Sequence, residues 1–193
     1  MNLNGWDLVY GASTTVINRL LAQNTGQLLS TFDYKRSETE DGFSCQVKIN
    51  GNFSPWYVVK GGSNKLINVV LPIQSGTMKV TGQAASSLLG NTSYKAGDTI
   101  LLDGIAVTMQ MSISFKVSSQ EPNVRELKFD FTDQDNAQSH SPAIVAKDIT
   151  DPKNYLTNEW LKTCLKKALV DCLLANKSDI PFVFASVLNI AQP

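Results

Sequence analysis

Residues Ile105 to Val117 read IAVTMQMSISFKV, and how this stretch is read decides the fold. Every odd position is apolar (Ile105, Val107, Met109, Met111, Ile113, Phe115, Val117), whereas the even positions between them hold Ala, Thr, Gln, Ser, Ser and Lys. Period-two alternation places the apolar set on one face of a β-strand. At about 3.3 Å per residue such a strand would run roughly 43 Å, well past the usual ~17–20 Å. So long a one-sided strand covers either a large packed core or the wall of an apolar cavity. The adjacent Met109 and Met111 suit both uses, because a thioether fills gaps and also adapts to an apolar ligand.

Working outward, the texture stays that of a sheet from about residue 29 to residue 132. Phe43, Cys45, Val47 and Ile49 alternate with polar residues, Trp56 to Val59 is rich in β-formers, and Gly61-Gly62-Ser63-Asn64 reads as a turn into LINVVLPI. Gly76 precedes a shorter strand, MKVTG. Pro55 and Pro72 each remove a ladder donor, which predicts a bend, a bulge or an edge at those positions. Residues 82 to 104 read as a loop holding a short strand at ILL. Glu121-Pro122-Asn123 turns the long strand into ELKFDF, where Leu127, Phe129 and Phe131 again fall on odd positions. A meander of antiparallel hairpins is the economical topology. Residues 133 to 153 carry two prolines and read as a connection.

Helices flank this sheet. Val9, Val16, Ile17, Leu20 and Leu21 lie near one helical stripe, with Asp7 as a candidate N-cap and Asn24-Thr25-Gly26 as the stop. From Tyr155 to Asn176, Leu156, Trp160, Leu161, Leu165, Ala168, Leu169, Cys172 and Leu173 keep 3.6-residue spacing, with Lys162, Lys166, Lys167 and Asp171 opposite. Asn154, Thr157 and Asn158 are all acceptable caps for it. After Ile180-Pro181 the segment FVFASVLNIA reads as a final strand. The expected fold class is α+β, with long amphipathic helices packed against a strongly curved antiparallel β-sheet, in a single domain over residues 1–193. A long curved sheet around a long helix tends to leave a tube or groove, whereas short strands close a core tightly.

Composition narrows the function. Lys plus Arg and Asp plus Glu stand at 17 each, so no overall charge draws the chain to nucleic acid or an anionic bilayer. Cys45, Cys164 and Cys172 are odd in number and lack metal-ligand spacing, which predicts buried thiols and neither a disulfide framework nor a zinc site. The N-terminal residues show no secretory signal, and no apolar run is long enough to span a membrane, which makes the cytoplasm the default location, with a non-classical release route as the exception. The N-x-S/T matches at Asn52, Asn91 and Asn176 then carry little weight.

No catalytic constellation emerges. His140, the only histidine, sits in Ser139-His140-Ser141-Pro142 with no nucleophile elbow anywhere to partner it. Asp130, Asp133 and Asp135 lack the Gly and Glu of a calcium loop, and read as a solvated turn. Gly61-Gly62-Ser63-Asn64-Lys65 lacks the spacing of a phosphate loop and is followed by β-rich residues, so it reads as a hairpin turn. Lys162, Lys166 and Lys167 form a basic helix face, best read as solvated. No enzyme activity, cofactor or metal is expected. The apolar faces are therefore the informative surface.

Gly5-Trp6-Asp7-Leu8-Val9-Tyr10, then Ala12-Ser13 and Val16-Ile17-Asn18, resemble the opening of bacterial TULIP (tubular lipid-binding) proteins. The nearest branch is that of the OrfX-type and forty-seven-kilodalton proteins encoded beside clostridial neurotoxins. The tail Ile180-Pro181-Phe182-Val183-Phe184-Ala185-Ser186-Val187-Leu188-Asn189 is similar to a late strand of the same branch. The resemblance implies a long helix wrapped by a curved antiparallel sheet, an apolar tube that accepts lipid tails, no catalysis, and a role in toxin delivery or complex formation. The chain is short beside full-length relatives, so closing the tube could require a partner copy, and it lacks a strongly basic entrance, so the phosphoinositide binding of some relatives is not carried over.

The expected function is non-enzymatic binding of a lipid or other long apolar ligand. Its cavity would be lined by Val107, Met109, Met111, Ile113 and Phe115, by Leu127, Phe129 and Phe131, and by Trp160, Leu161, Leu165 and Leu169 from the second helix. The alternative is an interaction component of a complex, with a packed core and no ligand. Its partner would be a second copy of the chain or a toxin-complex protein.

Overall fold

Two-residue periodicity dominates the chain, and it folds accordingly around one antiparallel sheet. The computed structural model describes residues 13–40, 43–62, 65–90, 92–132 and 143–188. In chain order these form α1 (Thr14–Gln23), β1 (Thr31–Glu40), β2 (Phe43–Phe53), β3 (Tyr57–Val59), β4 (Leu66–Gly82), α2 (Ala85–Leu89), β5 (Thr99–Leu101), β6 (Ala106–Val117), β7 (Val124–Phe129), β8 (Ile144–Thr150), α3 (Glu159–Ala175) and β9 (Val183–Leu188). The nine strands make one curled sheet in the form of a half-barrel.

Strand β4 is its spine. The sequence reads this segment as two strands broken before MKVTG, but it is one strand of 17 residues. The cause is a bulge. Asn52 faces Ser75 while Phe53 faces Ile73, which leaves Gln74 as an extra residue and flips side-chain parity there. Val69, Leu71 and Ile73 on odd positions and Met78 and Val80 on even ones consequently enter one core. Gly76 lies directly opposite Gly51 within the ladder. The Phe32 ring lies over the pair, and a Cβ added at Gly51 would sit 2.7 Å from both that ring and Gly76 Cα. These glycines admit a ring where the sheet bends.

Pro72 marks the exchange of neighbours along β4. Residues 73–82 pair with β2 and residues 68–70 with β3, while 77–79 pair with β5 and 66–72 with β6. Each flank of β4 is thus one interrupted rib. The missing proline donor costs nothing at this junction, where the Pro72 carbonyl accepts from Ser54 N at 2.8 Å and Ile73 N donates to Ile105 O at 2.7 Å.

The antiparallel hairpin expected from β6 into β7 is present, and an unexpected strand lies in line with it. Ser112 donates its N–H to Ala143 O and accepts from Asp130 N, both at 2.8 Å, so β7 and β8 lie end to end along one edge of β6. Strand β9 then pairs with β7. Strand β8 itself corrects the reading of residues 133 to 153 as a connection. A bulge at Lys147, between the pairs Thr108–Asp148 and Met109–Ala146, breaks its alternation and hides it. The loop expected over 82 to 104 also holds α2 besides the short strand β5.

Among the described residues only α3 is a long helix, which corrects the expectation of several. It has 17 residues, begins at Glu159 and not at Tyr155, and is capped by Asn158, whose Oδ1 accepts from Leu161 N at 2.8 Å. The Asn158 amide also donates to the carbonyls of Leu88 and Leu89, tying α2 to the start of α3. Leu161, Cys164, Leu165, Ala168, Leu169, Cys172 and Leu173 are buried against the sheet, chiefly on β1, β2 and β8. Arg36 Nε meets Glu38 at 2.6 Å and its Nη1 meets Asp171, which fastens the last turns of α3 to β1. Helix α1 has 10 described residues, with Ser13 as its cap; the candidate cap Asp7, together with Val9 and the rest of Gly5–Tyr10, lies outside the described residues. Only Leu21 of its stripe is fully buried, Ile17 and Leu20 are half-buried, and Val16 is exposed.

Candidate functional site

Alternation along β6 puts Val107, Met109, Met111, Ile113, Phe115 and Val117 on the face that looks toward α3, but the cover over that face is uneven. Val107, Met109, Met111, Leu161, Leu165 and Leu169 are each 0% exposed. Such side chains are sealed on every side. Beside them there is no room for a ligand chain without displacement. Phe129 and Phe131 are also buried, and all of these residues belong to one continuous apolar cluster.

Ile113, Leu127 and Trp160 are half-buried at the margin of that cluster, and Phe115 is half-buried outside it. Val117 is 56% exposed, although the alternation places it on the buried face. The reason is geometric. Helix α3 packs chiefly on β1, β2 and β8, so the end of β6 that pairs with β7 runs out from under it. On that end Phe115 faces Leu127 across the strands, and Ile113 faces Phe129. The twelve expected residues therefore divide into a packed interior and an open apolar end made of Ile113, Phe115 and Leu127, with Trp160 half-buried on α3.

A run of aromatic rings links the two zones. Phe32 and Phe53 lie 4.7 Å apart between centroids, Phe53 and Trp56 6.0 Å, Trp56 and Phe129 6.4 Å, Phe129 and Phe184 4.9 Å, and Phe184 and Phe182 5.0 Å. All but the tilted Phe32–Phe53 pair are edge-to-face, a contact that adds to area burial. Trp56, Phe182 and Phe184 are site neighbours that the sequence reading missed. Both segments read as strands in the sequence, and alternation alone does not say that their rings meet those of β7. The Trp56 indole is 2% exposed, and its N–H meets no acceptor among the described residues. Unmet buried donors are uncommon in folded proteins.

The polar candidates are engaged elsewhere. Asp130 binds Lys116 Nζ at 2.8 Å and Ser114 Oγ at 2.7 Å on the outer face of the sheet. Burial works to raise its carboxyl, but the bonds from Lys116, Thr132 and Ser114 outweigh it and hold the group well below the usual carboxylate range. Lys162 pairs with Glu159, Lys167 approaches Glu38 at 3.7 Å, and Lys166 donates to Lys147 O. Cys45 is buried; Cys164 and Cys172 are buried free thiols that burial pushes up to about 12 and about 11. Asp133, Asp135, His140, Ser63 and Asn64 lie outside the described residues. Among the described residues no three His, Cys, Asp or Glu side chains converge on a metal-sized space, and no helix is long and apolar enough to cross a membrane.

This architecture has known counterparts. The chain superposes on the structure of P47 from Clostridium botulinum A2 with a TM-score of 0.62 at 23% identity, over 92% of this chain and 36% of that one. The crystal structure of P47 of Clostridium botulinum E1 gives 0.59 at 21% identity, over 95% and 37%. At such identities the likeness shows the fold. In sequence the chain is 28% identical over 192 residues to Protein P47 of Clostridium botulinum (strain Kyoto / Type A2), which covers 100% of this chain and 39% of that protein. The chain thus spans well under half the length of this relative. Residues 3–191 match the family model described as OrfX-like, Protein OrfX2/OrfX3/P47, and the chain belongs to this family.

Proposed function

We propose that the chain is a non-enzymatic module that takes up a lipid acyl chain or another long apolar ligand at the open end of its TULIP-like half-barrel, in the setting of a toxin-associated complex. One observation carries this reading. The apolar face of β6 continues without interruption from the packed Met111 to the exposed Val117, so a ligand can extend the core without desolvating polar groups. Each Å² of apolar surface it covers would contribute about 25 cal/mol. Ile113, Phe115, Val117 and Leu127 would form the contact surface.

The closed interior favours a second reading, in which the core stays fully packed and the same apolar end meets a partner protein. Displacement of a fluorescent fatty acid separates the two. Under the first reading the wild-type chain binds the probe, and Phe115→Glu weakens binding by about tenfold or more, since a carboxylate there must be desolvated. Met111→Trp lies in the packed zone and should lower stability by about 1–3 kcal/mol through overpacking while leaving the open end able to bind. No binding by the wild-type chain would remove the first reading.

A further inference from the structure

An antiparallel sheet that does not close has edges, and a bare edge is a template for another strand. The edges of this sheet are treated unequally. Strand β1 carries Asp33, Lys35, Arg36, Glu38 and Glu40 along its length. The short β3 has its outer edge taken by Asn18, whose amide donates to Val58 O at 2.9 Å and whose Oδ1 accepts from Val58 N at 2.6 Å. On β8 the Lys147 carbonyl is taken by Lys166 Nζ at 3.2 Å, and Lys147 and Asp148 add charge. Among the described residues strand β9 shows none of these features. From Ile180 to Gln192 the chain has no charged side chain, and among the described residues β9 pairs only with β7.

The backbone groups that β9 turns outward follow from the register. Ser112, on β6, directs its N–H and C=O toward the β7 edge. Alternation then directs Ser114 and Lys116 the same way, to Lys128 and Glu126, so Arg125 and Leu127 turn their backbone groups toward β9. Their partners there are Val187 and Ala185, and these two residues hold β9 to β7. Ser186 and Leu188 therefore direct their N–H and C=O away from the sheet. The bulge at Phe184, between the pairs Leu127–Ala185 and Lys128–Val183, limits the usable edge to the segment that follows it.

We propose that β9 is the strand through which two copies of this chain pair antiparallel across a two-fold axis. A two-fold interface must be complementary to itself, and a strand without charge meets its own copy with no like-charge contact. The half-buried Phe115 and Leu127 and the exposed Val117 lie close by on β6 and β7, so pairing at β9 also brings the two open apolar ends together.

Sedimentation of the purified chain, wild type against Ser186→Pro and Ser186→Lys, tests it. Proline at 186 deletes an outward N–H and spares the bonds to β7, a substitution edge strands tolerate. Symmetry deletes the donor twice, so the dimer dissociation constant should rise by about tenfold or more. Lysine at the exposed Ser186 places like charges at the same seam and should act in the same direction. Unchanged thermal melting of the monomers confirms that the fold survives. A wild-type chain that stays monomeric at tens of micromolar, or a dimer that both variants leave intact, overturns the proposal. Pairing only with a different protein also overturns it.

Discussion

At the scale of single residues, burial matters more than residue type. Cys164 is buried between the sheet and α3, and removal from water, with smaller influences from Glu38 and Cys45, pushes its thiol up to about 12 from an ordinary 9.0. A group whose folded pKa is raised stabilises the fold fully below the unfolded pKa and loses that contribution as pH climbs toward the folded value. Unfolding by urea should therefore show a loss of about 1 kcal/mol from this thiol between neutral pH and about pH 10. Cys164→Val should remove that part of the pH dependence, and an unaltered slope in the variant would show that the thiol stays solvated. The carboxyl of Asp130 acts in the opposite direction. Its depressed value makes it stabilising at neutral pH and costly only as pH falls through the acid range.

At the scale of elements, the Asn18 side chain does the work of a strand. It satisfies both outward backbone groups of Val58, so helix α1 closes the outer edge of β3 through one amide. Asn18→Ala should cost about 1–3 kcal/mol in urea unfolding, because it leaves two half-buried backbone groups unpaired. Asn18→Asp, which keeps only the acceptor, should fall between, and a neutral Asn18→Ala would mean that water replaces the clamp at no cost. Asn18 belongs to the stretch Val16-Ile17-Asn18 on which the family resemblance rests, and this edge gives that residue a physical role. The same scale explains which elements could be read in the sequence. On its buried side β6 shows unbroken alternation from Ile105 to Val117 and was legible as one strand. Strands β4, β8 and β9 each carry an extra residue, Gln74, Lys147 and Phe184, and each extra residue reverses the parity on which such a reading depends. That reversal split β4 and concealed β8. Alternation also tells which side chains share a face and is silent about what covers it. Met111 and Val117 look equivalent in sequence, yet one is sealed and the other exposed, because α3 reaches only part of the sheet.

At the scale of the whole molecule, the chain is a half-barrel sealed at one end by α3 and left apolar and open at the other. Four bodies of observation converge on that picture: the interrupted ribs around β4, the in-line β7 and β8, the aromatic run from Phe32 to Phe182, and the decline in burial along β6. Membership of the OrfX-like family agrees with the fold, and the chain spans 39% of its relative P47. The proposed ligand site is the β6–β7 end, with the methionine-rich middle of the strand closed. Methyl NMR of the chain with a spin-labelled fatty acid reads that location directly. Binding at the β6–β7 end should broaden the Ile113, Val117 and Leu127 methyl signals strongly, with those of Met109 and Met111 far less affected. Broadening centred on Met109 and Met111, or none at any methyl, would contradict it.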